Sequence, residues 1–323
     1  MFSNLSYTLL NGNNGKFLYY AKNCLSSAIP PVFFRCRLKR TLQSLDKRKD
    51  KEYILSRVDY YCKLNKLTAL PQYAYNINRY NNKCSRVYLF DTMSVNRWFP
   101  PALKWVFKHG DINYVPDVPC VVKSRPICQE NENGVILKLN KVRHFLFVKD
   151  KKPFAEKKNE VIFRGEVRGK INRIRFFEQY FNHPMCDLGD TTRDFYEHKE
   201  WKVNKMTIKA QLNYKFILAL EGNDVASNLK WVMSSNSVAV MPRPTCETWF
   251  MEGTLIPNYH YIEIKPDFSD LEERLRYYIE HIDEAETIIR NANKYVEQFK
   301  DRERELLISL LVMNKYFKMT NQI

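Results

Sequence analysis

The chain has 323 residues, of which 45% are hydrophobic and 27% are charged, and this balance excludes a largely disordered protein. Because most domains contain about 50–250 residues, we expect two domains. The net charge is +16 at pH 7, and residues 1–100 contain 17 Lys and Arg against 5 Asp and Glu. Such a field attracts nucleic acid, an anionic membrane face or phosphorylated sugars, although a solvated basic surface without a partner has the same composition.

The first half of the chain predicts short elements separated by turns. In chain order they are a helix at 53–67, a strand at 85–90, a short helix at 102–107, and strands at 112–115 and 135–139. The polar segment 149–158 contains a proline and is predicted to link an N-terminal domain, 1–150, to a C-terminal domain, 151–323.

In the second half, predicted strands and helices alternate. Strands are predicted at 160–163, 185–188, 237–241 and 259–264, and helices at 172–181, 207–220, 228–233, 270–281, 283–299 and from 306 on. This alternation is typical of a largely parallel sheet covered on both faces by helices, so the predicted fold class is α/β.

The sequence Phe-Arg-Gly at 163–165 follows the short apolar strand 160–163, and arginines follow it at 168, 173 and 175. A glycine at the end of a strand lets the backbone turn tightly or approach a ligand. Ligands of open α/β sheets bind at the carboxyl ends of the strands, where paired N–H donors of arginine suit a diphosphate. An ordinary strand–loop–helix turn with a solvated basic helix is the alternative.

A second candidate is Glu221 to Ser227 (EGNDVAS), predicted to connect the helices at 207–220 and 228–233. A helix N-terminus near Ser227 presents free N–H groups to a phosphate, and Lys230 adds charge one turn further on. A plain helix–helix connection with a serine cap is the alternative. In a third segment, 244–253, Glu247 is a candidate for binding ribose hydroxyls, or it belongs to a surface loop.

Several other site classes lack their sequence signal. The eight cysteines include no C-x-x-C pair, so we expect reduced thiols rather than a zinc or redox site. The histidines are scattered, and we find no Walker loop, no G-x-G-x-x-G and no convincing D-x-D metal element. The longest apolar stretches, such as residues 27–34, are too short to cross a bilayer, which needs about 20 residues. We therefore expect a metal-independent, soluble or peripheral protein.

Taken together, the ordered segments from about residue 161 to 317 resemble glycosyltransferase family 90. They are FRG, the downstream Arg173, YKFILALEGNDVAS, SSNSVAVM, ETWFMEGTLIPNYHYIEI and SDLEERLRYYIEH. KSRPI at 123–127 and LKLNKVRHF at 137–145 are similar to the bacterial lipopolysaccharide-modifying members of that family. The first 80 residues match weakly.

The resemblance implies a GT-B architecture, with two Rossmann-like domains and the donor cleft between them. It also implies a UDP-sugar donor and inversion at the anomeric carbon. By position, Gly222 to Ser227 match the nucleotide-diphosphate loop, and Arg173 matches the arginine that contacts the donor phosphates. Together with the candidates from the pattern, the residues expected to bind the donor are Arg164, Gly165, Arg173, Gly222, Asn223, Asp224, Val225, Ala226, Ser227, Lys230 and Glu247.

Inversion needs a general base that deprotonates the acceptor hydroxyl. In the family this is an aspartate of the N-terminal domain, and the best match is Asp111 in HGDINYVP, with Asp117 and Asp91 as alternatives. The sequence here lacks the R-D-Y-P-like context of eukaryotic members.

The predicted function is an inverting transferase that moves a hexose or pentose from a UDP-sugar to a lipopolysaccharide or lipooligosaccharide core or another surface glycan. No cofactor is expected beyond the UDP-sugar substrate, and the expected location is cytoplasmic, free or peripheral on the inner membrane. The alternative function is a non-enzymatic basic protein that binds nucleic acid or anionic glycan. Against it, the Lys and Arg residues are dispersed and match no nucleic-acid module.

Overall fold

The computed structural model describes residues 16–79, 85–193 and 198–323. The chain divides into two compact units, and each is discontinuous in sequence. Among the described residues, unit 1 is built from 143–244 and 254–298, and unit 2 from 17–142, 245–253 and 299–323. This division differs from a single boundary at residue 150, because residues 245–253 and 299–323 belong to the same unit as residues 17–142.

Each unit contains both helices and strands. The helices are α1 Lys16–Ser27, α2 Pro31–Gln43, α3 Lys51–Tyr61, α4 Arg86–Asn96, α5 Lys141–His144, α6 Ile171–Tyr180, α7 Ile208–Gln211, α8 Leu229–Val232, α9 Leu271–Glu280, α10 Ile282–Glu297 and α11 Arg302–Met319. The strands are β1 Tyr75–Asn76, β2 Lys104–Trp105, β3 Cys120–Val122, β4 Ser124–Pro126, β5 Gly134–Ile136, β6 Lys158–Gly165, β7 Cys186–Asp190, β8 Tyr214–Leu218, β9 Val238–Met241, β10 Cys246–Thr248 and β11 Ile262–Glu263. No helix in the described ranges is both long and apolar enough to cross a membrane.

Unit 1 contains a five-stranded parallel sheet in the order β11-β9-β8-β6-β7, which confirms the α/β class. The strands β8 and β9 are buried along their whole length, as expected for a parallel sheet with both faces covered. Helices α6, α9 and α10 contribute Phe176, Leu275 and Ile288 to the core around it. The predicted strands at 160–163, 185–188 and 237–241 are therefore confirmed, as is the helix at 172–181.

The order of the strands creates a switch point in this sheet. From β6 the chain passes to β7 on one side, and it then returns to form β8 on the other side of β6. The connections that leave the carboxyl ends of β6 and β8 therefore lead to opposite sides of this switch point, and we call the space between the two strand ends the crevice. In open α/β sheets this crevice is where ligands bind.

The prediction of one helix over 207–220 is wrong. The structure has a single helical turn, α7, capped by Thr207, whose Oγ1 accepts a hydrogen bond from the Ala210 N–H at 3.2 Å, and the central strand β8 follows. All five residues of β8 are buried. Burial on both faces removes the alternation that marks a strand, so an apolar run of this length has no diagnostic period.

The predicted strand at 85–90 is also wrong, because these residues begin helix α4. The buried residues of α4 follow helical spacing and are Tyr88, Asp91, Thr92, Val95 and Asn96. Three of them, Asp91, Thr92 and Asn96, are polar and form hydrogen bonds in the interior. Asp91 accepts hydrogen bonds from the Tyr19 hydroxyl at 2.7 Å and from the Lys141 N–H at 2.9 Å. A polar residue on the buried face hid the helical period from the sequence.

Two shorter predictions in unit 2 fail for local reasons. Residues 102–107 form no helix; they contain β2, which pairs with β1, and the buried Trp105 stacks on Phe107 with 4.7 Å between ring centroids. Residues 112–115 lie outside the strands, because the Ser124 hydroxyl both accepts from the Ile112 N–H and donates to its carbonyl. A side chain thus replaces the ladder that a strand would need.

The segment 149–158 is packed into unit 1 rather than extended between domains. Phe154 is buried in the core, and the Lys157 ammonium donates to Asp150 at 2.6 Å and to the Ser237 hydroxyl at 3.0 Å. The charged composition of the segment suggested a linker, but Asp150 and Lys157 form an ion pair and the one aromatic side chain, Phe154, is buried in the core.

Unit 2 is held by helices α3 and α11 and by a buried carboxylate, Glu305. This carboxylate accepts hydrogen bonds from Arg57 at 2.6 Å, Lys138 at 2.6 Å and the Trp249 indole at 2.7 Å. The ring of Tyr61 stacks on Trp249 with 3.9 Å between centroids. One anion therefore ties together α3, α11 and the loop that contains Trp249.

We expect Glu305→Gln to lower the free energy of unfolding by about 3 kcal/mol, because it leaves two buried cations without their counter-charge. Urea unfolding followed by circular dichroism measures the change. Glu303→Ala, an exposed position on the same helix, is the matched control and should unfold like the wild type within about 0.5 kcal/mol. Equal loss of stability in both variants would contradict this account of the cluster.

Candidate active site

Arg173 lies at the switch point of the sheet in unit 1. It lies in the first turn of α6, and its guanidinium reaches the loops on both sides of the crevice. It donates to the carbonyl of Glu166 after β6 at 2.7 Å, and to the carbonyls of Leu220 at 2.7 Å and Glu221 at 3.2 Å after β8. The side chain of Arg173 therefore connects the loop after β6 to the loop after β8.

The electrostatics of Arg173 suit an anion. Its three acceptors are neutral carbonyl oxygens, so two of its five N–H bonds have no acceptor among the described residues. Burial, with a smaller contribution from the nearby Arg143 guanidinium, lowers the pKa of Arg173 to about 10. The guanidinium remains charged at neutral pH, and its position at the strand ends makes it available to a phosphate group.

The segment 221–227 forms the other wall of the crevice. It connects strand β8 to α8 and not two helices, which corrects the sequence prediction. Asp224, Val225 and Ala226 are buried, and the Gly222 N–H donates to the Asp224 carbonyl at 3.0 Å, so the loop is a tight turn. The side-chain oxygen of Asn223 accepts a hydrogen bond from Lys170, which comes from the β6 side.

The helix after this loop differs from the expected one. α8 has a single turn of four residues, and the Asn228 side chain donates to the Leu218 carbonyl at 2.8 Å instead of capping it. Ser227 is half-buried just before it, and Lys230 is fully buried. A one-turn helix has only a small dipole, so the positive charge of this crevice comes from Arg173 and Lys170 rather than from a helix end.

Two glycines allow these groups to approach one another. A Cβ at Gly222 would lie 3.1 Å from Nη2 of Arg173, and a Cβ at Gly165 would lie 2.8 Å from the ring of Phe163. The guanidinium of Arg173 in turn lies 5.3 Å from the centroid of that ring. The structure thus brings together Gly165, Arg173 and Gly222, three of the residues that the sequence assigned to donor binding.

For the UDP-sugar donor that the family resemblance implies, we expect Gly222→Ala to weaken UDP binding about fivefold to tenfold and to leave the fold intact, because the added methyl group lies 3.1 Å from the Arg173 guanidinium and displaces it. The dissociation constant for UDP measures this directly. Gly169→Ala is not a suitable control, since Gly169 has φ +69°, so we choose Ala210→Gly, a change in the distant one-turn helix α7. Unaltered UDP affinity in Gly222→Ala would show that the contact with Arg173 does not matter for binding.

The structure adds one residue that the sequence analysis missed, Asp190 at the carboxyl end of β7. Its buried carboxylate accepts hydrogen bonds from the Val167 N–H at 3.1 Å, the Thr192 N–H at 2.9 Å and the Thr192 hydroxyl at 2.6 Å. These bonds fix the loop after β6. The available signal was an aspartate directly after a predicted strand, at the edge where Gly165 also ends its strand.

Arg164 is not part of the Arg173 cluster. Its guanidinium turns towards β7, where it donates to the Asp187 carboxylate at 2.5 Å and to the Asp187 carbonyl at 2.8 Å. The Tyr214 hydroxyl donates to the same carboxylate. The side chain of Arg164 therefore joins β6 to β7, and the Asp187 carboxylate that it binds also joins β7 to β8.

The remaining sequence candidates lie in unit 2. The buried carboxylate of Glu247 accepts hydrogen bonds from Arg125 Nε at 2.8 Å and from the Tyr60 hydroxyl, so its oxygens are engaged inside that unit. Asp111 is exposed and accepts a bond from the buried ammonium of Lys123 at 2.5 Å. This ion pair holds the Asp111 carboxylate in one position at the surface of unit 2.

The two alternatives to Asp111 have different surroundings. Asp91 lies inside helix α4, where burial raises the pKa of its carboxyl, and its oxygens are bound to Tyr19 and to the backbone of Lys141. Asp117 is exposed in a loop of the same unit. Asp111 and Asp117 are both accessible to a substrate, and the ion pair with Lys123, which fixes the position of the Asp111 carboxylate, distinguishes Asp111.

Comparison with known proteins identifies the family. The model of glycosyl transferase family 90 matches residues 136–321, more than half of the chain. The chain belongs to glycosyl transferase family 90. It is therefore a glycosyltransferase, as the resemblance of its motifs predicted.

Three known proteins are similar to this chain over different shares of its length. An O-glucosyltransferase named LpsA from Dichelobacter nodosus is 38% identical over 311 residues, which cover 94% of this chain and 96% of the relative. Human protein O-glucosyltransferase 3 is 24% identical over 168 residues, 50% of this chain and 32% of the human protein. The uncharacterised protein 179R of Invertebrate iridescent virus 6 is 29% identical over 131 residues, 38% of this chain and 11% of the viral protein.

The family 90 match contains the crevice of unit 1 but not every candidate residue. Arg173 and Gly222 to Ser227 fall inside residues 136–321, whereas Asp111 precedes that range. The match therefore covers the region in which the donor-binding candidates cluster.

Proposed function

We propose that this family member is an inverting, metal-independent glycosyltransferase that uses a UDP-sugar. The observation that carries the proposal is the guanidinium of Arg173, which lies at the switch point of a parallel sheet with two N–H bonds left over for an anion. Paired N–H donors of this kind bind two phosphate oxygens at once. Lys170 and Asn223 extend the polar wall of the same crevice.

On the donor side, the bond between the anomeric carbon and the β-phosphate oxygen breaks and leaves its electron pair on UDP. Arg173 and Lys170 stabilise the negative charge that develops on this leaving group. Since the cations come from the chain itself, the reaction proceeds without a divalent metal ion. The buried turn at 224–226 keeps the loop rigid, so little reorganisation accompanies the step.

On the acceptor side, we assign the general base to Asp111. Its carboxylate takes the proton of the acceptor hydroxyl as that oxygen forms the new bond to the anomeric carbon, on the face opposite the departing UDP. The ion pair with the ammonium of Lys123 orients the Asp111 carboxylate. The GT-B arrangement of the two units stays a prediction from the family resemblance.

The acceptor we propose is a lipopolysaccharide or lipooligosaccharide core, or another surface glycan, modified on the cytoplasmic side of the inner membrane. The name of the Dichelobacter nodosus relative, O-glucosyltransferase, makes glucose the first sugar to test. The net charge of +16 suits an acceptor that bears phosphate groups.

A hydrolysis screen across UDP-glucose, UDP-galactose, UDP-xylose and UDP-N-acetylglucosamine tests the proposal. We expect slow release of UDP from one of these donors at a rate that EDTA leaves unchanged, and in transfer of that sugar to the glycan acceptor we expect a β-linked product from the α-linked donor. Loss of activity with EDTA that Mg²⁺ or Mn²⁺ restores would contradict metal independence. Retention of the anomeric configuration would contradict the assigned mechanism.

A further inference from the structure

Helices α1 and α2 of unit 2 are joined by the three residues 28–30, and this segment, which we call the hairpin, exposes large apolar side chains. We define the hairpin tip as Leu25, Ile29, Val32 and Phe33, which are 75%, 45%, 53% and 60% exposed. Phe17 and Leu18 on α1 are also exposed, and α2 has no buried residue along its 13 positions. An apolar patch of this kind on a soluble chain marks an interaction surface.

The hairpin is attached by its opposite face, so the tip is not an unpacked part of the core. The Tyr19 hydroxyl donates to Asp91 of α4, and the Arg97 guanidinium donates to the carbonyl and hydroxyl of Ser26 at 2.7 and 2.6 Å. Arg97 also lies 4.0 Å from the centroid of the Phe34 ring. These contacts orient both helices and leave the tip outward.

The charges around the tip have a single sign. Residues 23–34 contain no charged residue, whereas residues 16–43 contain six Lys and Arg and no Asp or Glu. The exposed cations flanking the tip are Lys22, Arg35, Arg37, Lys39 and Arg40. The hairpin tip is therefore an apolar surface that is flanked by positively charged side chains.

We propose that the hairpin tip inserts into the surface of a bilayer containing anionic phospholipid. An apolar projection enters the boundary between headgroups and acyl chains to a depth of about 5–10 Å, while flanking cations bind the lipid phosphates. A second copy of the chain fits less well, because a symmetric contact would bring like charges together. Nucleic acid fits less well, because its phosphates would meet twelve uncharged residues.

This inference rests on the proposed function in one respect: a lipid-linked acceptor glycan would be found at a membrane. The chain supplies a concave site for the donor in unit 1 and, in unit 2, an independent contact with the membrane. Twelve uncharged residues are fewer than the roughly 20 that a bilayer crossing requires, so the contact is peripheral.

Flotation of the full-length protein with vesicles tests the inference. The wild type should bind vesicles made of equal parts phosphatidylcholine and phosphatidylglycerol, and should bind phosphatidylcholine alone weakly. Ile29→Glu/Phe33→Glu should reduce binding at least about tenfold. Arg37→Glu/Arg40→Glu should reduce it by a similar factor through the lost attraction to lipid phosphate. Leu67→Glu, at an apolar position of unit 2 that is 70% exposed, is the matched control and should bind like the wild type.

Three results would overturn the inference: no binding of the wild type to the anionic vesicles, equal binding by Ile29→Glu/Phe33→Glu and the wild type, or a dimer in light scattering that this double variant abolishes. UDP affinity, measured on the same proteins, should be equal in all of them. Vesicle binding without UDP binding would support the hairpin contact and count against the proposed function.

Discussion

Arg173→Ala should lower kcat/KM for the UDP-sugar about 10³-fold, the scale expected when a charged donor to a developing anion is removed. Two effects combine in this variant. The leaving diphosphate loses its paired N–H donors, and the loops after β6 and β8 lose the side chain that bridges them. We expect the larger part of the loss in kcat, because the charge on the leaving group is greatest in the transition state.

Arg175→Ala is the matched control, since this exposed arginine lies two residues further along α6. It removes the same charge and should keep wild-type kinetics. Arg173→Lys should recover a minor part of the activity, because an ammonium keeps the charge but not the paired geometry. If Arg173→Ala and Arg175→Ala lost activity equally, the net charge of the helix would matter rather than the position of Arg173. Circular dichroism and thermal unfolding confirm that each variant is folded.

Asp111→Asn should lower kcat by about 10³-fold and leave the affinity for UDP unchanged, because the amide cannot accept the proton of the acceptor hydroxyl. The substitution is nearly isosteric and its carbonyl oxygen still accepts a bond from Lys123, so the fold should be retained. Transfer to the glycan acceptor is measured under saturating donor, which separates the proton transfer from donor binding.

Asp117→Asn serves as the comparison for Asp111, because both aspartates are exposed in unit 2 within six residues of each other. It should keep most of the transfer activity. Full activity of Asp111→Asn together with loss in Asp117→Asn would move the general base to Asp117. Wild-type transfer by both variants would remove this loop from the mechanism.

The sequence predicted those parts of unit 1 in which local pattern and tertiary environment agree. Strand β6 ends at a glycine and is followed by an amphipathic helix. The sequence therefore predicted both the strand and the position of Arg173 near its carboxyl end. Helix α6 buries Phe176 and Phe177 in the core beside the sheet. The family motifs then singled out Arg173 among several arginines.

Other features depend on contacts between residues far apart in sequence. Strand β8 lacks alternation because neighbours cover both of its faces, and α4 buries Asp91 by pairing it with a tyrosine and a backbone N–H more than 45 residues away. The engagement of Arg164 with Asp187 was hidden for the same reason, because it depends on the pairing of β6 with β7. The assignment of residues 245–253 to unit 2 also depends on a distant contact, because strand β10 in this segment pairs with β4.

Calorimetric titration of UDP into the wild type and into Arg173→Ala is the most direct test of the central claim, that the crevice between the ends of β6 and β8 binds a nucleotide diphosphate. We expect a measurable binding enthalpy for the wild type and an affinity at least about tenfold lower for Arg173→Ala, which corresponds to the loss of a charge-assisted hydrogen-bond pair. No heat and no thermal shift for the wild type at millimolar UDP, or equal affinity in the two proteins, would contradict the account.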